Sequence, residues 1–181
     1  MRVLHRLLVL TALAALVGCH RPAHAPAAPM AAIALAGGAQ QAAGLWEQKV
    51  SDRAGVSVTR YCLDDSAGAA LAAFDRQLGG RCSRHDMAQA ADGTWRFSTD
   101  CDMGAGGKVA TEGVIRGDFA THYVVETRSQ TVAAADPAID GAGRAAADVS
   151  RLGACPADMR PGDVVLPDGS RSRLETLAGR A

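Results

Sequence analysis

Aromatic residues are scarce in this 181-residue chain: two Trp, two Tyr and three Phe, 4% of the total. A large aromatic core is therefore excluded. The 48% apolar share does not restore it, because alanine supplies much of that figure and little volume. All the aromatics, from Trp46 and Tyr61 through Phe74, Trp95 and Phe97 to Phe119 and Tyr123, fall between positions 46 and 123, which locates one small domain. Net charge is missing too. Nineteen basic residues balance 19 acidic ones and the pI is near 6.9, so no basic footprint points to nucleic acid.

Catalytic signatures are also absent: Gly-x-Ser-x-Gly, His-Glu-x-x-His and Ser-x-x-Lys do not occur. There is no Cys-x-x-Cys and the cysteine spacings fit no compact zinc site, so neither a metal nor a cofactor is expected. Two near-motifs read as turns. Gly104-Ala105-Gly106-Gly107-Lys108 has Val109 where a phosphate loop needs Ser or Thr, and Arg116-Gly117-Asp118 sits between two β-like runs.

What is present begins at the N-terminus. Arg2, His5 and Arg6 precede an apolar run at 7–17, too short for the ~20 residues of a membrane-crossing helix. Leu16-Val17-Gly18-Cys19 closes it and resembles the lipobox of bacterial lipoproteins, which implies a signal peptide over 1–18, cleavage before Cys19 and acylation of that cysteine. The rival is an ordinary secretory signal cut near Ala23 or Ala25. A lipid-bearing Cys19 makes the membrane a partner without a transmembrane helix. By the same resemblance, His20 rather than Asp after the cysteine favours the outer membrane. Residues 19–43, with Pro22, Pro26 and Pro29 among Ala and Gly, read as a tether; His20 and His24 on it read as solvated.

The domain is expected over 44–156. Strands are predicted around Trp46 and around Tyr61, and then the period changes. Asp65 or Ser66 caps a helix in which Ala67, Ala70, Leu71, Phe74 and Leu78 share a stripe, ended by Gly79-Gly80. In the next hairpin Trp95, Phe97, Thr99 and Cys101 alternate with Arg96, Ser98 and Asp100. A long run from Phe119 to Val132 has its expected partner at 144–152. The fold class is therefore mainly β: an antiparallel meander of six to seven strands, curved or partly closed, with one helix between the second and third strands. Residues 157–181, rich in Pro, Gly, Asp and Arg, are expected to form an exposed tail.

With Cys19 assigned to lipid, Cys62, Cys82, Cys101 and Cys155 are an even number in an exported chain, for which three connectivities exist. Cys82 with Cys101, across the hairpin, and Cys62 with Cys155, tying an early strand to the last, are the pairs expected. A two-residue turn at Asp92-Gly93 places Cys82 opposite Met103 instead, so a longer turn or a bulge is needed.

Gly44-Leu45-Trp46-Glu47, Tyr61-Cys62-Leu63, Trp95 before Cys101 and Arg151-Leu152-Gly153-Ala154-Cys155 resemble the secreted bacterial family known as domain of unknown function 3617, over roughly residues 43–165. The resemblance implies a β domain in an envelope lipoprotein or periplasmic protein of proteobacteria, and carries no activity or catalytic residues. Ala145-Ala146-Ala147-Asp148-Val149 departs from the Met- and Thr-rich strand common there. The reading that follows is a non-enzymatic binding or structural module facing the periplasm, holding an apolar ligand or an envelope protein. The alternative is a hydrolase of envelope material using His85 beside Asp86, or His122 with Glu126 on its strand face.

Overall fold

Bulky and polar residues alternate with period two through most of the domain, and this alternation builds strands. In the computed structural model, which describes residues 41–64, 81–174 and 176, the order is β1 (Gly44–Asp52), β2 (Gly55–Leu63), β3 (Cys82–Gln89), β4 (Trp95–Asp102), β5 (Lys108–Asp118), β6 (His122–Val132), β7 (Gly141–Gly153), β8 (Asp163–Val165) and β9 (Arg171–Arg173). The signal peptide, Cys19, the tether to residue 40 and the helix expected over 65–80 lie outside the described residues.

All nine strands join one antiparallel sheet in the order β3-β4-β5-β6-β7-β1-β2-β8-β9. Among the described residues its edges, β3 and β9, do not pair, so the sheet they form is open. The count corrects the expected six to seven strands, and the extra pair comes from the segment expected to be an exposed tail. Val164 opposes Tyr61 and is fully buried. Gly162 N–H donates to Cys62 O at 2.9 Å, and Met159 is buried as well. Burying Val164 outweighs the breakers around it. The meander is also interrupted, because β7 turns back onto β1.

The core lies on one face. Trp46, Tyr61, Leu63, Ile115, Tyr123, Val125, Val149 and Val164 are buried together. Trp46, with none of its surface exposed, packs against Tyr123 at 6.2 Å; Tyr123 meets Phe119 at 4.8 Å, and Phe119 meets Trp95 edge-on at 6.5 Å. These four rings make a chain from β1 to β4. Trp46 Nε1 donates to Ala42 O at 2.8 Å and Gln41 Nε2 to Tyr61 Oη at 2.9 Å.

Where bulk is lacking, glycine lets an aromatic lie flat. Gly113 is in register with Phe97, and a Cβ added at 113 would stand 2.2 Å from that ring and 3.0 Å from Glu126 O. Gly113→Val should therefore push Phe97 off the sheet and cost about 1–3 kcal/mol. A urea midpoint equal to wild type would show that the ring is not seated there.

Burial raises the pKa of both Tyr61 and Tyr123, and in Tyr123 the nearby Tyr61 adds to the effect. An unfolded tyrosine loses its proton near pH 10, whereas the folded protein holds these two protons to higher pH. The native state then binds more protons than the unfolded one, so stability is level below about pH 10 and falls above it. Urea melts taken across this range should show that fall in wild type, and much less of it in the Tyr61→Phe/Tyr123→Phe variant.

The cysteine pairs stand at bonding distance: Cys62 with Cys155 at 1.85 Å and Cys82 with Cys101 at 1.99 Å. A longer turn or a bulge was needed by the hairpin register, and both are present. The loop between Gln89 and Trp95 is wider than two residues, closed by Ala90 N–H to Thr94 O at 2.8 Å, with Asp92 Oδ1 accepting from Thr94 N–H at 3.0 Å. A bulge between Cys82 and Arg84 then brings Cys82 opposite Cys101.

Candidate functional site

The other face of the sheet carries the charges, since residues alternating with the core point away from it. Between β3 and β7, reaching Ser51 of β1, this face encloses an open hollow of about 820 Å³. Four arginines line it, Arg96, Arg116, Arg128 and Arg144, with three carboxylates, Asp86, Glu112 and Glu126. Each comes from a strand position between two core-facing residues. Small side chains, Ala88, Ser98 and Ala146, leave the space open between them.

Not all the charges are matched. Arg116 Nη1 meets Glu126 Oε2 at 2.7 Å, an exposed pair that contributes little to stability. Among the described residues Arg96, Arg128 and Arg144 form no ion pair. A neighbouring hollow of about 470 Å³ over β1, β2 and the turn after β8 differs. There Glu47 is held between Arg60 at 2.7 Å and Lys49 at 3.2 Å. The hydrogen bond from Arg60, with help from Lys49, keeps the Glu47 carboxyl below the usual carboxylate range.

The two histidines considered for catalysis are kept apart. His85 on β3 is in register with Thr99, on the core-facing side, and His122 on β6 is in register with Ser150, on the charged side. Glu126, expected beside His122, goes to Arg116; His122 Nε2 stands 3.2 Å from Asp148 Oδ2 on β7 instead. Ser150 Oγ donates to Asp148 Oδ1 at 3.2 Å. The carboxylate thus sits between imidazole and hydroxyl, whereas a serine nucleophile needs the imidazole in the middle.

The near-motifs are turns with internal bonding. Gly104 N–H donates to Asp102 Oδ1 at 2.9 Å, and the amides of Gly106 and Gly107 donate to Met103 O and Gly104 O, so these groups are not free to cradle a phosphate. Asp118 accepts from Ala120 N–H at 2.8 Å and from Thr121 Oγ1 at 3.1 Å, closing the β5–β6 turn. Among the described residues no three His, Cys, Asp or Glu side chains gather to hold a metal ion, and no helix is long and apolar enough to cross a membrane.

The arginine hollow was missed in the sequence because each arginine, taken singly, is the ordinary outward residue of a strand. Only the pairing of β4 through β7 puts them in one place.

An open antiparallel sheet with two cysteine pairs, one face filled by its own aromatics and the other hollow and charged, defines a crosslinked β module. The chain belongs to the family described as protein of unknown function (DUF3617), whose model matches residues 41–155. No curated protein and no solved structure matches it. The residues that carried the resemblance meet in the fold: Leu45 pairs with Gly153 and Trp46 with Arg151 across a bulge, and Arg151 Nε donates to Ala43 O at 2.8 Å. A Cβ at Gly44 would stand 2.3 Å from Gly153 O. These residues hold β1 to β7.

Proposed function

We propose that this is a lipid-anchored envelope protein, held at the membrane through acylated Cys19 and probing the periplasm with a non-enzymatic binding domain. The observation that carries the binding role is the hollow itself: about 820 Å³ lined by more charge than its own ion pairs use. Pockets for apolar ligands are lined mainly by hydrophobic and aromatic groups. Here Trp46, Tyr61, Trp95, Phe119 and Tyr123 pack in the core on the opposite face, which favours a polar, charged occupant over an apolar one. The lipobox and the paired cysteines support an exported location.

Native mass spectrometry of the protein released gently from envelopes should find a bound species in wild type that Ala146→Trp, which fills the hollow, loses. Equal, unliganded masses for both would remove the binding role. Metabolic labelling with palmitate should mark wild type and not Cys19→Ala; label retained in the variant would remove the anchor.

A further inference from the structure

We infer that Arg128 and Arg144 form a subsite for a phosphate dianion, the anionic group of the ligand held in the hollow; this rests on the hollow being the binding face. The two residues are in direct register on β6 and β7, which sets their Cβ atoms roughly 5 Å apart on one face. Like charges directly opposite each other cost stability, and neither residue has an ion pair among the described residues. The nearest candidates on β6 and β7 are otherwise engaged or lack charge. Glu126 is bonded to Arg116 at 2.7 Å, and Arg144 is flanked on its own face by Ala142 and Ala146.

Charge is segregated along this row of the sheet. Asp86, Ser98, Glu112, Arg128 and Arg144 follow one another across β3 to β7, with the carboxylates at the β3–β5 side and the guanidinium groups at the β6–β7 side. Glu112, in register with Arg128, makes no ion pair with it and leaves Arg144 on the far side untouched. An anion entering the hollow is therefore drawn to the β6–β7 end. Two planar guanidinium forks there present parallel N–H donors, which a tetrahedral oxyanion accepts from both sides. The small side chain of Ala146 leaves room for the rest of the ligand to extend toward Ser51 of β1, which lines that end.

The test is an NMR titration of the whole protein with inorganic phosphate against chloride at matched ionic strength. The proposal expects saturable shifts of the backbone amide signals of residues 127–129 and 143–145, which remain observable in every variant. It expects their loss in Arg128→Gln/Arg144→Gln, and binding weakened about tenfold in Arg128→Lys/Arg144→Lys, which keeps the charge and loses the fork. The lysine variant keeps the test decisive if the glutamine variant does not fold. Titration with glycerol 3-phosphate, and flotation with phosphatidylcholine vesicles with and without phosphatidic acid, then separate a soluble ester from a lipid headgroup as the source of the phosphate; either result supports the subsite. Shifts that do not saturate, or that survive in both double variants, overturn it. If phosphate has no effect while Ala146→Trp still loses the bound species, the subsite is wrong and the binding face stands.

Discussion

Trp46→Ala should lower stability by about 3–5 kcal/mol, as the emptied site of a large buried aromatic does, out of the roughly 5–15 kcal/mol typical of a domain. The residue has none of its surface exposed. It sits where β1 pairs with both β2 and β7, opposite Tyr61 and Arg151. Its loss leaves Ala42 O without the indole donor and Tyr123 without its ring neighbour at 6.2 Å. The other buried side chains are few, Tyr61, Leu63, Ile115, Tyr123, Val125, Val149 and Val164, and stand on strands fixed by their pairing, so they cannot collapse into the gap. Guanidinium unfolding of wild type, Trp46→Phe and Trp46→Ala should give midpoints that fall in that order. A loss below about 1 kcal/mol in the alanine variant would mean that the core is centred elsewhere.

Removing the Cys62–Cys155 bridge should cost more than removing Cys82–Cys101. The first closes a loop with a sequence separation of 93 and the second one of 19, and on the chain-entropy account their contributions are about 4–5 and 3 kcal/mol. The structure adds a second reason. Cys62 is fully buried at the end of β2, and its bridge fastens the chain after β7 to β2 near the point where the β8–β9 hairpin docks. Cys62→Ala/Cys155→Ala should thus loosen β8 and β9 as well, seen as faster amide exchange at Val164. Cys82→Ala/Cys101→Ala should confine its effect to the β3–β4 edge. Equal losses, or unchanged exchange at Val164, would contradict this ranking.

Much of the fold was legible because it is local. Trp95, Phe97, Thr99 and Cys101 alternate cleanly, and the β3–β4 hairpin follows from that alternation and from Asp92-Gly93. The need for a wider turn or a bulge could be read by counting residues between the cysteines, and both are present. The Cys62–Cys155 pairing likewise pointed to an early strand lying near the last. β8 and β9 were not legible. Each is three residues long, set among Pro, Gly and Asp, and its one large contribution is Val164, whose burial depends on Tyr61 a hundred residues earlier. β7 was read three residues short at its start, because Gly141, Ala142 and Gly143 have low strand propensity and are held by their register with Thr131, Gln130 and Ser129 in turn.

The charged hollow lay further still from the sequence. Arg96, Arg116, Arg128 and Arg144 stand on four different strands, and nothing in their spacing distinguishes them from outward-facing residues elsewhere. His122 illustrates the same limit. Its nearest carboxylate along the strand is Glu126, yet its partner is Asp148, because cross-strand neighbours are closer than residues four apart on one strand.

The account rests on an exported sheet held in shape by two sulfur bridges. Non-reducing peptide mapping of the protein, isolated from envelopes under alkylating conditions, tests this most directly. It should recover Cys62 linked to Cys155 and Cys82 linked to Cys101, with no alkylated thiol at any of the four; free thiols at these positions, or Cys62 linked to Cys82, would contradict it.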